Sequence, residues 1–199
     1  THQVHALDLP GQPGLSHQER PRGPGGYGRW LADLMPSLVD DPPVLVGVSL
    51  GAKFAVEAAC RGVAAAGLVL VVPAGIMRLR VTLAALAVTV PWLRDPSPRT
   101  AAALLEMMMA PGHRPPDDLT RWMTLVGRHV RTSLAPSPVP AGALRSLAGT
   151  PTVVVAGRHD TMLPPHRVAR AAARKLPDRR VLVAERAGHL LTHERPDAV

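Results

Sequence analysis

VLVGVSLG, Val44 to Gly51, is the stretch on which the fold turns. It is an uncharged apolar run, then a serine between two glycines, then the alanine-rich AKFAVEAA. The run Val44–Val48 reads as a strand covered on both faces, and Leu50–Arg61 reads as the helix after it. G-x-S-x-G between strand and helix is the pattern of a sharp turn that projects a serine from the sheet edge, with small residues two away on each side, here Gly47 and Gly51. A helix beginning near Leu50 aims its first amides at any negative charge developing there, so the Leu50 backbone N–H is a candidate oxyanion donor. The pentapeptide also fits close packing of a strand on a helix. Whether Ser49 is a nucleophile depends on what the rest of the chain supplies.

Outward from this stretch, the same alternation recurs. LVLVV (Leu68–Val72), TVVVA (Thr152–Ala156) and VLVA (Val181–Ala184) are further apolar runs of strand length, and Gln3–Leu7 reads as another strand. Helical spacing occupies Tyr27–Leu38 and Pro165–Leu176. Strand–helix–strand repetition implies an α/β fold with a mostly parallel sheet flanked by helices. One region departs from it. Gly75–Gly149 has no clear strand and reads as helices over Met77–Val90, Arg99–Met109 and Asp117–Ser133, separated by proline-containing joints such as Pro136–Pro140. The chain thus divides into a core, 1–74 with 150–199, and a helical insertion, 75–149. The insertion is either a lid over the C-terminal sheet edge or a structural elaboration, with Met107, Met108 and Met109 as lining of an apolar pocket or as core.

Composition limits the function classes. At 199 residues a single domain with a sizeable core is expected. The chain has one Phe and one Tyr, so stacking platforms for single-stranded nucleic acid are nearly absent. The net charge of +8 admits a nucleic-acid or membrane-surface partner. Its arginines, however, are scattered singly or in pairs, the pattern of a solvated surface. A lone cysteine, Cys60, excludes an internal disulfide and reads as a structural thiol. The most apolar window, Val81–Leu93, is too short to span a membrane and contains Pro91. No signal segment is visible, and the expected compartment is cytoplasmic.

A nucleophilic serine needs a base, and the base needs an orienting acid. Asp160 follows the strand TVVVA in GRHDTMLP, and His189 follows the strand VLVA in ERAGHLLTHERP. Ser49, Asp160 and His189 each sit just past the C-terminal end of a strand, the edge where side chains converge in an open parallel sheet. His159 should point away from Asp160. His193 shares a helical face with His189 but has no third ligand, so no metal site is expected. Glu194 reads as a solvated helix residue.

With these residues in place, the chain resembles the α/β-hydrolase superfamily over almost all of its length. VHALDLPGQPGLS (Val4–Ser16) resembles the family's D-x-P-G-x-G-x-S strand and loop. VLVGVSLGAKFAVEAA resembles its elbow and helix, TVVVAGRHDTMLPP its acid loop, and VLVAERAGHLLTHERPDAV its histidine loop and last helix with an E-x-P-D-x-V ending. Gly75–Gly149 resembles its cap. The resemblance implies a carboxylesterase-like serine hydrolase acting on esters of small or medium acyl chains through Ser49, His189 and Asp160, with no cofactor and no metal. The partner implied is a small-molecule ester, not nucleic acid. A serine at the elbow disfavours the chemistries that use aspartate there. The same triad supports thioester, carbon–carbon and perhydrolase reactions, and a non-catalytic protein of this fold is a further alternative. The family's first strands and its H-G-x-P-type loop, which brings the second oxyanion donor, have no counterpart before Thr1, and the chain stops inside what resembles the last helix. A weakly active or inactive piece of a longer hydrolase is therefore expected.

Overall fold

The computed structural model describes residues 2–130 and 135–199. Four parallel strands form one sheet in the order β1 (Val44–Val48), β2 (Gly67–Val71), β3 (Thr152–Gly157), β4 (Arg179–Ala184). Parallel neighbours need crossovers. α2 (Leu50–Ala59) carries the chain from β1 to β2, and α7 (Pro165–Lys175) carries it from β3 to β4. α1 (Gly26–Leu34), extended by a 3-10 turn over Met35–Ser37, precedes β1. The α/β class is as expected, and the four runs nearest the sheet all become strands.

The two faces of the sheet are covered unequally. Leu68 and Leu70 of β2, with Val154 and Ala156 of β3, point into the main core. There they meet Leu31 of α1, Ala52, Ala55 and Val56 of α2, and Val168 and Ala172 of α7. Their neighbours Val71 and Val155 point the other way, into a smaller cluster with Ala184, Ala187 and Leu191 of α8 (Leu191–Glu194). The two-sided burial expected of an apolar run therefore holds for β2 and β3. It does not hold for β1. Leu45 enters the core, but Val44, Val46 and Val48 on the opposite face are exposed. No described helix lies against that face. Most of β4 is likewise exposed.

Gln3–Leu7 is not a strand. A strand needs a ladder partner for its backbone groups, and among the described residues this segment has none, while Val4 is 83% exposed. The chain is first held at Pro10, whose carbonyl accepts from the Tyr27 hydroxyl at 2.7 Å. Tyr27 in turn stacks on Phe54 of α2.

Between β2 and β3 lie α3 (Leu83–Arg94), α4 (Pro98–Met108), α5 (Asp117–His129) and the short α6 (Ala141–Leu144). α3–α5 share a separate apolar cluster around Trp92, Ala101 and Leu104. α3 begins six residues later than the expected Met77, because Ile76 and Met77 are drawn into the main core and Thr82 caps the helix by accepting from the Ala85 N–H. It also runs through Pro91, which is exposed, so the carbonyl that loses its partner faces water. For the third expected helix, residues 131–133 lie outside the described residues. The chain returns to the core at Val139, whose N–H donates to the Gly75 carbonyl at 2.7 Å.

The unequal faces give a direct test. Leu70→Ala, at a fully buried position, is expected to cost about 2–5 kcal/mol of unfolding free energy. Val46→Thr, on the exposed face of β1, is expected to change it by less than about 0.5 kcal/mol. Urea denaturation of the two variants checks both.

Candidate active site

Ser49 sits in the turn between β1 and α2 with φ 49° and ψ −111°, a left-handed conformation unusual for serine. The turn is held from both sides. The Ser49 N–H donates to the Val71 carbonyl at 2.9 Å, and the Ser49 carbonyl accepts from the Ala74 N–H at 3.0 Å. Val72, in the same brace, also has a positive φ of 40° and is anchored by its N–H to the Val155 carbonyl. Such backbone strain costs on the order of 1–3 kcal/mol per residue and persists only where neighbours over-determine it.

The two glycines of the turn differ. A Cβ on Gly47 would lie 2.5 Å from the Ala52 Cα and 2.6 Å from its nitrogen, so α2 packs directly on this backbone. A Cβ on Gly51 would meet nothing described within 4 Å. The sequence pattern asked for small residues on both sides; close packing requires only Gly47.

The three side chains singled out in the sequence come together. Ser49 Oγ lies 2.8 Å from His189 Nε2, and His189 Nδ1 lies 2.7 Å from Asp160 Oδ2. Asp160 and His189 are buried and Ser49 is partly open. Asp160 Oδ1 accepts from the backbone N–H groups of Met162 and Leu163, at 2.9 and 2.8 Å. A carboxylate offers only acceptors, so Nδ1 must be the donor to Oδ2. That leaves Nε2 as the acceptor in the neutral ring, and the Ser49 hydroxyl donates to it. Leu50 is the first residue of α2, where a backbone N–H has no partner within the helix.

The loops after β3 and β4 are tied to each other. Arg158 donates to Glu185 from both Nε and Nη2, and this hydrogen-bonded cation holds the exposed Glu185 carboxyl below its ordinary range. The His159 N–H donates to the Ala187 carbonyl at 2.9 Å, while the residue as a whole is exposed, as expected for a side chain outside the cluster. His159, Arg80, Arg158 and His166 line an open groove of about 580 Å³ that includes Asp160 but neither Ser49 nor His189. Cys60 is half-buried, its thiol donates to the Ala143 carbonyl, and burial pushes its pKa up.

Glu194 corrects the sequence reading. It is not solvated: its side chain is fully buried and accepts from the backbone N–H groups of Ala110 and Gly188. His193 is exposed. Among the described residues no group of three or more His, Cys, Asp or Glu could hold a metal ion, and no helix is long and apolar enough to cross a membrane. The Met162 and Leu163 amides escaped the sequence reading because any residue supplies a backbone donor.

The alpha/beta hydrolase family model matches residues 1–199. This chain belongs to the alpha/beta hydrolase family. Among solved structures it is similar to the carboxylesterase CesB of Bacillus subtilis, with a TM-score of 0.68, 19% identity, and 86% of this chain and 62% of that one covered. The naproxen esterase of Bacillus subtilis is similar over the same shares of the two chains, with a TM-score of 0.69 and 21% identity. The 2-hydroxy-6-oxo-6-phenylhexa-2,4-dienoate hydrolase of Rhodococcus sp. RHA1 is matched over 96% of this chain and 74% of that one, with a TM-score of 0.66 and 19% identity. No curated protein matches. These identities establish the fold alone. The chain spans 62% of the length of the two Bacillus carboxylesterases.

The contrast between the two elbow glycines can be measured. Gly47→Ala is expected to cost about 1–3 kcal/mol, because backbone must move to admit the methyl group. Gly51→Ala is expected to be neutral or to stabilise α2 by up to about 1 kcal/mol. Thermal and urea unfolding of both variants checks the difference.

Proposed function

We propose that this protein is a serine hydrolase of carboxylic esters with small or medium acyl chains. Ser49 is its nucleophile, His189 its general base and acid, Asp160 its orienting acid, and the Leu50 N–H one oxyanion donor. The observation that carries the proposal is the directed hydrogen-bond chain Asp160–His189–Ser49, in which each donor and acceptor is assigned. The structural likeness to two carboxylesterases supports the choice of ester among the substrates such a chain can cleave.

In this mechanism Ser49 Oγ attacks the ester carbonyl carbon while its proton passes to Nε2. Asp160 stabilises the imidazolium so formed, and its carboxylate remains ionised. Negative charge collects on the former carbonyl oxygen, where a fixed dipole is worth most. The tetrahedral intermediate collapses by breaking the bond to the alcohol oxygen, which takes the proton from Nε2. Water then enters, gives a proton to Nε2 and attacks the acyl carbon. The second collapse returns that proton to Ser49 and releases the acid. The strained turn keeps Oγ at the strand end through these steps.

A series of p-nitrophenyl esters of increasing acyl length tests the proposal. Ser49→Ala is expected to abolish the burst of p-nitrophenol and to lower turnover by several orders of magnitude. Asp160→Asn is expected to lower kcat by about 10⁴, because the amide lets Nε2 carry the proton. Turnover near the wild-type rate, or a burst, in Ser49→Ala would overturn the assignment.

A further inference from the structure

Glu194 ends α8, five residues after His189, and its carboxylate has no exposed surface. Its two oxygens serve two distant segments. Oε2 accepts at 2.8 Å from the N–H of Gly188, the residue before His189. Oε1 accepts at 2.6 Å from the N–H of Ala110, in the turn that leaves α4. A third bond joins the same two segments directly: the His189 N–H donates to the Met108 carbonyl at 2.6 Å. The His113 ring faces the carboxylate from the following loop, with Nδ1 3.6 Å from Oε1.

No side chain separates the joined backbones. A Cβ on Gly188 would lie 2.5 Å from the Met108 carbonyl oxygen and 2.9 Å from the Ala110 nitrogen. On the other side, a Cβ on Gly157, at the end of β3, would collide with the carbonyls of Gly188 and Ala187. β3, the histidine loop and residues 108–110 are thus three backbone layers stacked through two glycines. The histidine loop has β3 on one side and the α4 turn on the other, with Glu194 bridging the histidine loop and the α4 turn.

We infer that Glu194 is a positioning residue for His189, and that residues 108–110 are a fixed wall of the histidine's cradle. The inference rests on the reading of His189 as general base. Its chemical logic is the pair of acceptors. Two N–H groups from separate segments converge on one buried group, and only a carboxylate presents an acceptor to each. Glutamine would satisfy one and turn an NH₂ donor against the other. A residue needed for packing alone would tolerate that exchange of equal shape. A cover that opens over the site must therefore hinge beyond residue 110 or before α4, since moving 108–110 would unmake the Ala110–Glu194 and His189–Met108 bonds.

The test is Glu194→Gln, with Glu106→Gln on the exposed side of α4 as control. Misplacing a general base by a fraction of an ångström to an ångström is expected to lower kcat on a p-nitrophenyl ester by about 10–100-fold, with KM changed less than about threefold. The downfield NMR resonance of the His189 Nδ1 proton is expected to shift or broaden in Glu194→Gln and to stay unchanged in Glu106→Gln. Wild-type kcat together with an unmoved resonance in Glu194→Gln would overturn the inference, as would a loss confined to KM. Amide exchange on the wild-type protein needs no variant: the Gly188 and Ala110 amides are expected to be protected like those of β3, and fast exchange at either would overturn the inference even if Glu194→Gln fails to fold. If the wild-type protein hydrolyses no ester, the esterase reading fails, and the resonance and the exchange rates still decide the role of Glu194.

Discussion

The site depends on how Asp160 divides its two oxygens. Oδ1 is committed to the Met162 and Leu163 amides, which close the turn after β3, so only Oδ2 is free for His189. One carboxylate thereby shapes its own loop and fixes which imidazole nitrogen holds the proton. In the proposed mechanism the direction of every later proton transfer follows from that. The arrangement needs the sheet to be parallel. Val48 registers with Val71, and Gly157 with Ala184, so the turns after β1, β3 and β4 leave the sheet at one edge. With any of these strands reversed, one of the three side chains would lie at the opposite end.

Backbone hydrogen bonds and close packing hold the strained turn, with little help from exposed ion pairs. Ser49 and Val72 carry positive φ angles side by side, and the backbone bonds Ser49–Val71, Ala74–Ser49 and Val72–Val155 tie both to neighbouring strands. Gly47, Gly157 and Gly188 let backbone meet backbone where any side chain would force the layers apart. The ion pair Arg158–Glu185 joins the same loops but is exposed to solvent, where such pairs contribute little.

What was legible in the sequence was local or periodic. VLVGV, LVLVV and TVVVA announce strands because apolar runs of that length fit few other places. Ser49, Asp160 and His189 stand out because each follows such a run. What was not legible depended on partners far along the chain. Gln3–Leu7 has the composition of a strand and, among the described residues, no ladder to join. The β1 valines have the pattern of two-sided burial, yet one face meets no described helix. The start of α3 is set by whether Met77 is worth more in the core than in a helix, which no local pattern reports. Glu194 looks like a surface residue until Ala110, 84 positions away, is brought against it. The E-x-P-D ending was the one sequence feature that marked this glutamate, and it carried no hint of burial.

The most direct measurement of the central claim is reaction of the folded protein with a fluorophosphonate, followed by mass mapping of the modified peptide. A single adduct on Ser49, absent in Ser49→Ala, is the expected result, because only a serine whose proton has an acceptor in place attacks phosphorus at a useful rate. A folded protein that takes up no label, or takes it up on another residue, would contradict the assignment of Ser49 as nucleophile.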